Sequence, residues 1–345
     1  MPDINTAWFI VLALMLSGYA VLDGFDLGVG ALHLLVARTD DERATVINSI
    51  GPVWNGNEVW LLAAGGSMVV AFPHLYAAGF SGFYLALMLV LWLLVLRGLS
   101  IEFRHQVDHP MWREIWDVVF CGASALLGVL FGVAVGNILL GVPFSADGTF
   151  QGSFEIMLNP FAILGGVLGL CLLCLHGASY LALRTVGALQ DRARKYASVL
   201  WWVVIALLVV VSAASLKARA PGMPGFLDNF RAHPALFLIT ALGAGSAITM
   251  FVARKANRDK QAFLSSTALI VSILGSAAAA VFPYLLLSRT PGVKGLTIYN
   301  TASSPYSMST ALGIYLVGMA IVAIYLTAVY RTWRGKVTAD TAYHP

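Results

Sequence analysis

Long apolar stretches separated by short polar ones make up almost the whole chain. Nine are long enough to be read as membrane spans, at about 7–36, 50–71, 76–98, 115–140, 158–183, 196–216, 234–254, 262–287 and 308–331. Each offers about 20 apolar residues, the length an α-helix needs to cross the hydrocarbon core. The pattern predicts an all-α polytopic membrane protein, a single integral domain over residues 1–345 with nine transmembrane helices. The connections are short, the longest about 20 residues. They leave no room for a soluble catalytic domain, so any chemistry belongs in the membrane or on a partner.

Two of the stretches are interrupted by acids. The first contains Asp23 and Asp26 within Gly18–Gly28, and the second opens Trp54-Asn55-Gly56-Asn57-Glu58-Val59-Trp60. A charge near the bilayer centre costs on the order of 3 kcal/mol on insertion scales, so acids placed there are candidates for proton or ion handling. No Lys or Arg is read as lying deep in a span. The expectation is therefore that the acids are protonated, solvated in a polar pocket, or paired with another subunit.

Composition agrees with the pattern. The chain is 59% hydrophobic and 11% charged, with mean hydropathy +0.81, far less charge than a soluble domain of this size carries. Of its 21 Lys and Arg residues, 16 fall in segments 37–49, 97–114, 184–195, 254–261 and the C-terminal tail. Cationic loops stay cytoplasmic, which predicts an N-out, C-in orientation. The net charge of +4 follows from these loops and does not point to nucleic acid. Met1–Ala7 holds no Lys or Arg, so the basic n-region of a signal peptide is missing and the first span is expected to be retained.

Other features have structural explanations. Cys121, Cys171 and Cys174 all lie in apolar segments. Cys171 and Cys174 share a helix face and could form a metal or redox pair, but buried thiols mostly act as small hydrophobes. The spacings Gly24/Gly28, Gly132/Gly136 and Gly165/Gly169 predict close helix packing. Trp and Tyr cluster near span ends as an interfacial belt. Intramembrane histidines are few: His176 in the fifth span and His33 near the end of the first. His74, His105, His109, His233 and His344 sit in loops, at span edges or in the tail. A multi-haem subunit needs several axial ligands at depth. His176 alone is a weak candidate, better read as a hydrogen-bonded packing residue. No nucleotide-binding, zinc or nucleophile-elbow motif occurs.

In the N-out orientation Asp23 falls near the middle of the first span and Asp26 two-thirds of the way in. Asn55 and Glu58 occupy the first turns of the second span, at similar depth. Arg97, Glu102 and Asp117 are placed at the cytoplasmic mouth below them. A file of carboxylates and amides from the mouth to mid-membrane is what proton conduction requires, since desolvation brings carboxyl groups into the range where they exchange protons near neutral pH. Arg97, Glu102 and Asp117 are equally readable as interfacial charges, and Asp23, next to Gly24, as a helix break or a subunit contact. A proton-coupled secondary transporter and a purely structural scaffold subunit are the competing readings. Transporters show inverted repeats and broken helices, and no second half repeats the pattern here.

The long motifs add a resemblance. The runs GYAVLDGFDLGVG (18–30) and INSIGPVWNGNEVWLLAAGG (47–66) resemble the signatures of subunit II of cytochrome bd-type quinol oxidases, including the cyanide-insensitive relatives. The block 72–104, WREIWD (112–117), GNILLGVPF (136–144), LNPFAILGG (158–166) and HGASYLALRTVG (176–187) follow in order, and VFPYLLLS (281–288) also fits. The resemblance is strong over residues 8–187 and beyond that rests mainly on hydropathy.

It implies nine helices arranged as two four-helix bundles plus one peripheral helix, in a bacterial cytoplasmic (inner) membrane. It implies a haem-bearing subunit I as partner, holding b-type haems with or without a d-type haem, with small accessory transmembrane subunits and lipid as further neighbours. This chain would hold no catalytic residue, metal or cofactor itself. The complex would oxidise quinol at the outer side and reduce O2 to water with cytoplasmic protons. In the family a cytoplasmic proton path is proposed to begin in this subunit, at an acid in a Trp-Asp-Gly-Asn motif. Asn55 stands there instead, and it cannot titrate. Glu58, where those members have Gln, is expected to take over that role, with Asp26 next along the path and Arg97, Glu102 and Asp117 forming the mouth.

Overall fold

In this computed structural model residues 3–145, 149–219 and 223–338 are described; His344 and the rest of the tail beyond residue 338 lie outside them. The first helix, α1, runs unbroken over Ile4–Val36. Asp3 starts it by accepting the amide hydrogen of Thr6 at 2.7 Å, which satisfies one of the free amides of the helix N-terminus. Its 33 residues rise about 50 Å, well beyond the roughly 30 Å hydrocarbon core. Gly24 and Gly28 lie inside it without a break. A short helix, α2 (Asp40–Ile50), follows with a capping box between Thr39 and Glu42.

The predicted spans 50–71 and 76–98 become three helices: α3 (Trp54–Ala71), α4 (Pro73–Gly82) and α5 (Tyr84–Phe103). The reading of 76–98 as one helix is corrected here. Phe72 and Phe83 both leave helical geometry, and Pro73 lacks the amide hydrogen that a continuing helix needs. Eight helical segments among the described residues are long and apolar enough to cross a membrane: α1, α5, α6 (Pro110–Leu140), α8 (Pro160–Arg184), α9 (Gly187–Ala218), Pro234–Lys255, α12 (Asp259–Val281) and α13 (Pro305–Thr332). The segment Pro234–Lys255 ends in α11 (Phe237–Lys255). Two short helices, α7 (Phe154–Met157) and α10 (Asp228–Ala232), sit in the connections. Helix α3 is not among the eight, because Asn55, Asn57 and Glu58 fill its first turns with polar groups. The span read as 262–287 stops at Val281. Beyond it Tyr284–Leu286 (β1) pairs antiparallel with Leu296–Thr297 (β2), a small departure from an all-helical chain.

Helix α1 sits centrally, packed on α3, α6 and α8, while α8 also packs on α9 and α12. Small residues permit this closeness, as their spacing predicts. A Cβ on Gly28 would lie 1.9 Å from the Leu173 carbonyl oxygen, and one on Gly132 would lie 2.3 Å from that of Gly165. Where lipid tails are as apolar as the side chains, such backbone-to-backbone contact supplies the packing energy. The outward faces are apolar, with Leu62, Leu238, Ile314 and Ile324 all exposed. The central window of α13 has no buried residue at all, so lipid or another chain must cover it.

Candidate functional site

The apolar helices bury two clusters of polar side chains, both anchored on α1. The first centres on an ion pair. Arg97 of α5 and Asp23 of α1 are both fully buried, and the guanidinium donates from Nη1 to Oδ2 at 2.8 Å and from Nη2 to Oδ1 at 2.6 Å. This overturns two expectations. Arg97 is not at the mouth, and a cation does lie deep in the helices to neutralise an acid. Asp23 is neither a helix break nor unpaired; both its oxygens are engaged in the two-pronged geometry that suits a guanidinium and a carboxylate. The indole of Trp54 lies 5.9 Å from the guanidinium and against Gly98. Tyr19 is buried beside Asp23 and stands edge-on to Phe131 at 5.3 Å.

One turn along α1, Asp26 is held differently. Its Oδ2 accepts from the Asn57 amide at 2.8 Å, and the Asn57 oxygen accepts from the Tyr330 hydroxyl at 2.8 Å. This file joins α1, α3 and α13. The second carboxyl oxygen, Oδ1, is buried without a hydrogen-bond partner among the described residues. Glu58 is half-buried and within electrostatic reach of Arg97 and Asp23. Asp23, Asp26, Glu58 and Arg97 are therefore brought together. Asn55 is exposed and outside this file; the polar residue of α3 that matters is Asn57.

The second cluster surrounds Asp117 at the Val36 end of α1. Its carboxylate accepts from Arg104 Nε at 2.7 Å and from Arg43 Nη1 at 3.2 Å, and lies 2.8 Å from His33 Nε2. Arg104 reaches on to the half-exposed Asp40 at 2.5 Å, and Arg113 also pairs with Asp40, at 2.7 Å. Asp117 is thus buried in a network rather than standing as an isolated interfacial charge. Glu102 lies half-buried in the last turn of α5. Outside the spans, Glu42 bonds the Arg38 amide at 2.7 Å and pairs with Arg192. Burial alone would push its carboxyl up, but these bonds hold it below the ordinary carboxylate range.

The buried histidines are engaged within the chain. His176 lies 2.6 Å from Ser266 Oγ through Nδ1 and 3.0 Å from the Val21 carbonyl through Nε2, and its ring stacks on Phe263. With both nitrogens committed, it does not fit axial ligation of a haem. His33 lies 2.8 Å from Asp117 through Nε2 and stands edge-on to the ring of Phe120.

Sequence reasoning missed Asn57, Tyr330, His33 and Arg104. Asn57 is visible as a polar residue between Asn55 and Glu58, and His33 as a histidine three residues before the end of α1. No local signal marks Tyr330, whose partner is 273 residues away in sequence.

Comparison with known proteins matches residues 4–333 to the family described as cytochrome bd terminal oxidase subunit II. A Haemophilus influenzae protein named probable cytochrome oxidase subunit 2 is 35% identical, over 96% of this chain and 95% of its own length. The Escherichia coli cytochrome bd-I ubiquinol oxidase subunit 2 is 33% identical over the same shares. A chain in the structure of the bd oxidase from Geobacillus thermodenitrificans superposes with a TM-score of 0.78, covering 96% of this chain and 98% of that one, at 16% identity.

Proposed function

The chain belongs to the cytochrome bd terminal oxidase subunit II family, and on that premise we propose that it carries cytoplasmic protons toward the oxygen-reducing site of a haem-bearing partner. It is an integral multi-pass membrane protein and a subunit of an oxidoreductase of electron transport. In the proposed complex, subunit I binds the haems, which supply oxygen reduction, and quinol is the electron donor. The helices form two bundles with one peripheral helix in the cytoplasmic membrane, N-out and C-in. Helices α3 and α4 together make the ninth crossing. Small accessory transmembrane subunits and lipid cover the remaining outer faces.

The observation that carries this reading is Asp26. It is fully buried, tied by one oxygen to Asn57 and Tyr330, and left with Oδ1 uncommitted. Asp23 spends both oxygens on Arg97 and serves stability and the local field. Asp26 pairs with no cation among the described residues, so of the two it is the carboxyl that can take and release a proton. Glu58 stands at the edge of the same cluster and is placed to feed it. Intramembrane carboxyls in such settings are functional by default. A scaffold gains nothing from a buried acid with an unsatisfied oxygen, and a continuous α1 lacks the broken midplane helix typical of transporters.

The test uses the two-subunit oxidase in vesicles. Asp26→Asn is expected to abolish most quinol-driven oxygen reduction and its charge separation, and Glu58→Gln to slow both, with the haem spectrum unchanged. Normal charge separation in Asp26→Asn overturns the proposal; normal rates in Glu58→Gln remove Glu58 from the path.

A further inference from the structure

The two polar clusters share one seam between α1 and α6. On α1, Asp26 and His33 are seven residues apart, about 10.5 Å along the axis and on the same face. On α6, Asp117 and Ser124 repeat that spacing. His33 meets Asp117 at 2.8 Å. Ser124 lies over Gly30, where a Cβ would come within 2.1 Å of the serine oxygen. Gly30 is about 6 Å along the axis from Asp26 and about 4.5 Å from His33, so the Ser124 hydroxyl falls between them. The ring of Phe120 flanks the line, edge-on to His33 at 5.3 Å.

Three buried atoms along this line lack a hydrogen-bond partner among the described residues: Asp26 Oδ1, Ser124 Oγ and His33 Nδ1. Buried polar atoms are almost always satisfied, and where protein does not do it ordered water does. One bridging water spans about 5.5 Å between two such atoms, close to the axial spacing on either side of Gly30.

We propose that this seam holds a short file of ordered water and gives protons a second route to Asp26, starting at Asp117 and His33 instead of at Glu58. The route rests on the reading of Asp26 as a proton relay and adds a mouth to it. Asp117 from α6, Arg104 from the end of α5 and Arg43 from α2 surround His33, with Asp40 at the exposed rim. An imidazolium on Asp117 releases its Nδ1 proton to the first water. That water protonates Ser124 Oγ, whose own proton moves through the second water to Asp26 Oδ1. The neutral imidazole then lets go of Asp117, turns so that its bare Nδ1 takes one proton from the rim, and swings back to Asp117 as the imidazolium. One proton is gained at the rim and one appears on Asp26.

The test compares Ser124→Ala and His33→Gln in the vesicle-bound oxidase, each alone and combined with Glu58→Gln, by the rate of proton uptake after an oxygen pulse. The haem spectrum reports assembly. Ser124→Ala removes one atom, and His33→Gln keeps a donor for Asp117, so either variant decides the matter if the other fails to assemble. In the Glu58→Gln background each is expected to slow uptake by about tenfold, and the two together no further, since they act in series. Uptake equal to that of Glu58→Gln alone overturns the seam while leaving Asp26 in place. Normal uptake in Asp26→Asn overturns the relay itself.

Discussion

Removing Arg97 isolates the energetic role of the buried ion pair. In Arg97→Met the Asp23 carboxylate keeps its buried position and loses both donors, which sit at 2.6 and 2.8 Å. Breaking a buried pair by deleting one partner costs about 3–5 kcal/mol, and about 3 kcal/mol is already more than 100-fold in a folding equilibrium. The converse change, Asp23→Asn, should cost less. Glu58 lies within electrostatic reach of Arg97 and can partly compensate the guanidinium, whereas Asp23 draws on Arg97 for its positive charge. Removing both charges in Arg97→Met with Asp23→Leu should restore most of the stability, because well-packed apolar replacements of buried pairs are often neutral. The assay is denaturant or thermal unfolding of the purified complex, read as a double-mutant cycle. The expected order of loss is Arg97→Met, then Asp23→Asn, then the double variant. A loss below about 1 kcal/mol in Arg97→Met, or single effects that add to within about 0.5 kcal/mol, would refute the claim that the pair acts as one desolvated unit.

Other consequences are more local. Gly132→Val places carbon where the Gly165 carbonyl oxygen lies 2.3 Å from the first added atom, so α6 and α8 must separate; a loss of about 1–3 kcal/mol or more and poor recovery of complex are expected. Gly122→Ala, whose Cβ meets nothing within 4 Å, should be neutral or stabilising in the same unfolding assay. Tyr330→Phe removes the hydroxyl that holds Asn57 at 2.8 Å and should cost about 1 kcal/mol, with turnover lowered several-fold as Asn57 loosens its hold on Asp26. Glu42 is held below its ordinary value of 4.5, so its contribution is present above that value and is lost as the pH falls through the folded one. In Glu42→Gln the acid side of the thermal stability profile should therefore be flatter than in the parent, and an unchanged slope would remove Glu42 from the account.

The sequence made the long helices, the acids of α1 and the glycine contacts legible, because each is a local pattern: apolar length, charge out of place, small residues four apart. Depth was less secure. Arg97 falls at the end of a span when that span is read as 76–98, yet α5 runs from Tyr84 to Phe103, which puts Arg97 inside it. The break that causes this shift falls at Phe72 and Phe83, two apolar residues that leave no mark on hydropathy. Asn55 was favoured over Asn57 by resemblance to a motif. Two positions on a helix differ by about 200°, so choosing one turned the other away, and the structure buries Asn57. The charged helix α2 carries a readable capping box, Thr39 with Glu42, but a search for apolar stretches passes over it. Tyr330 depends on where α13 docks, which no local pattern encodes.

On the proposed function, the placement of Asp23 and Asp26 lets one rigid helix also serve proton exchange. They are three residues apart on α1, so they feel nearly the same surroundings, yet their bonds differ in kind. Asp23 has both oxygens fixed by a cation that has nowhere else to go, and that pairing sets a positive charge permanently beside the site. Asp26 is bonded to a neutral amide that tolerates either protonation state, since Asn57 can hold a carboxylate or a carboxylic acid with the same donor. If the pairing were reversed, with Arg97 on Asp26, the acid nearest the proposed water file would be locked as a carboxylate and the proposed relay would stall. If neither acid had a cation, two negative charges one turn apart would repel at several kcal/mol in a low dielectric, and one would have to stay protonated at all times. The arrangement present gives the cation to Asp23 and leaves open the second oxygen of Asp26, the acid to which the proposed relay assigns the exchangeable proton.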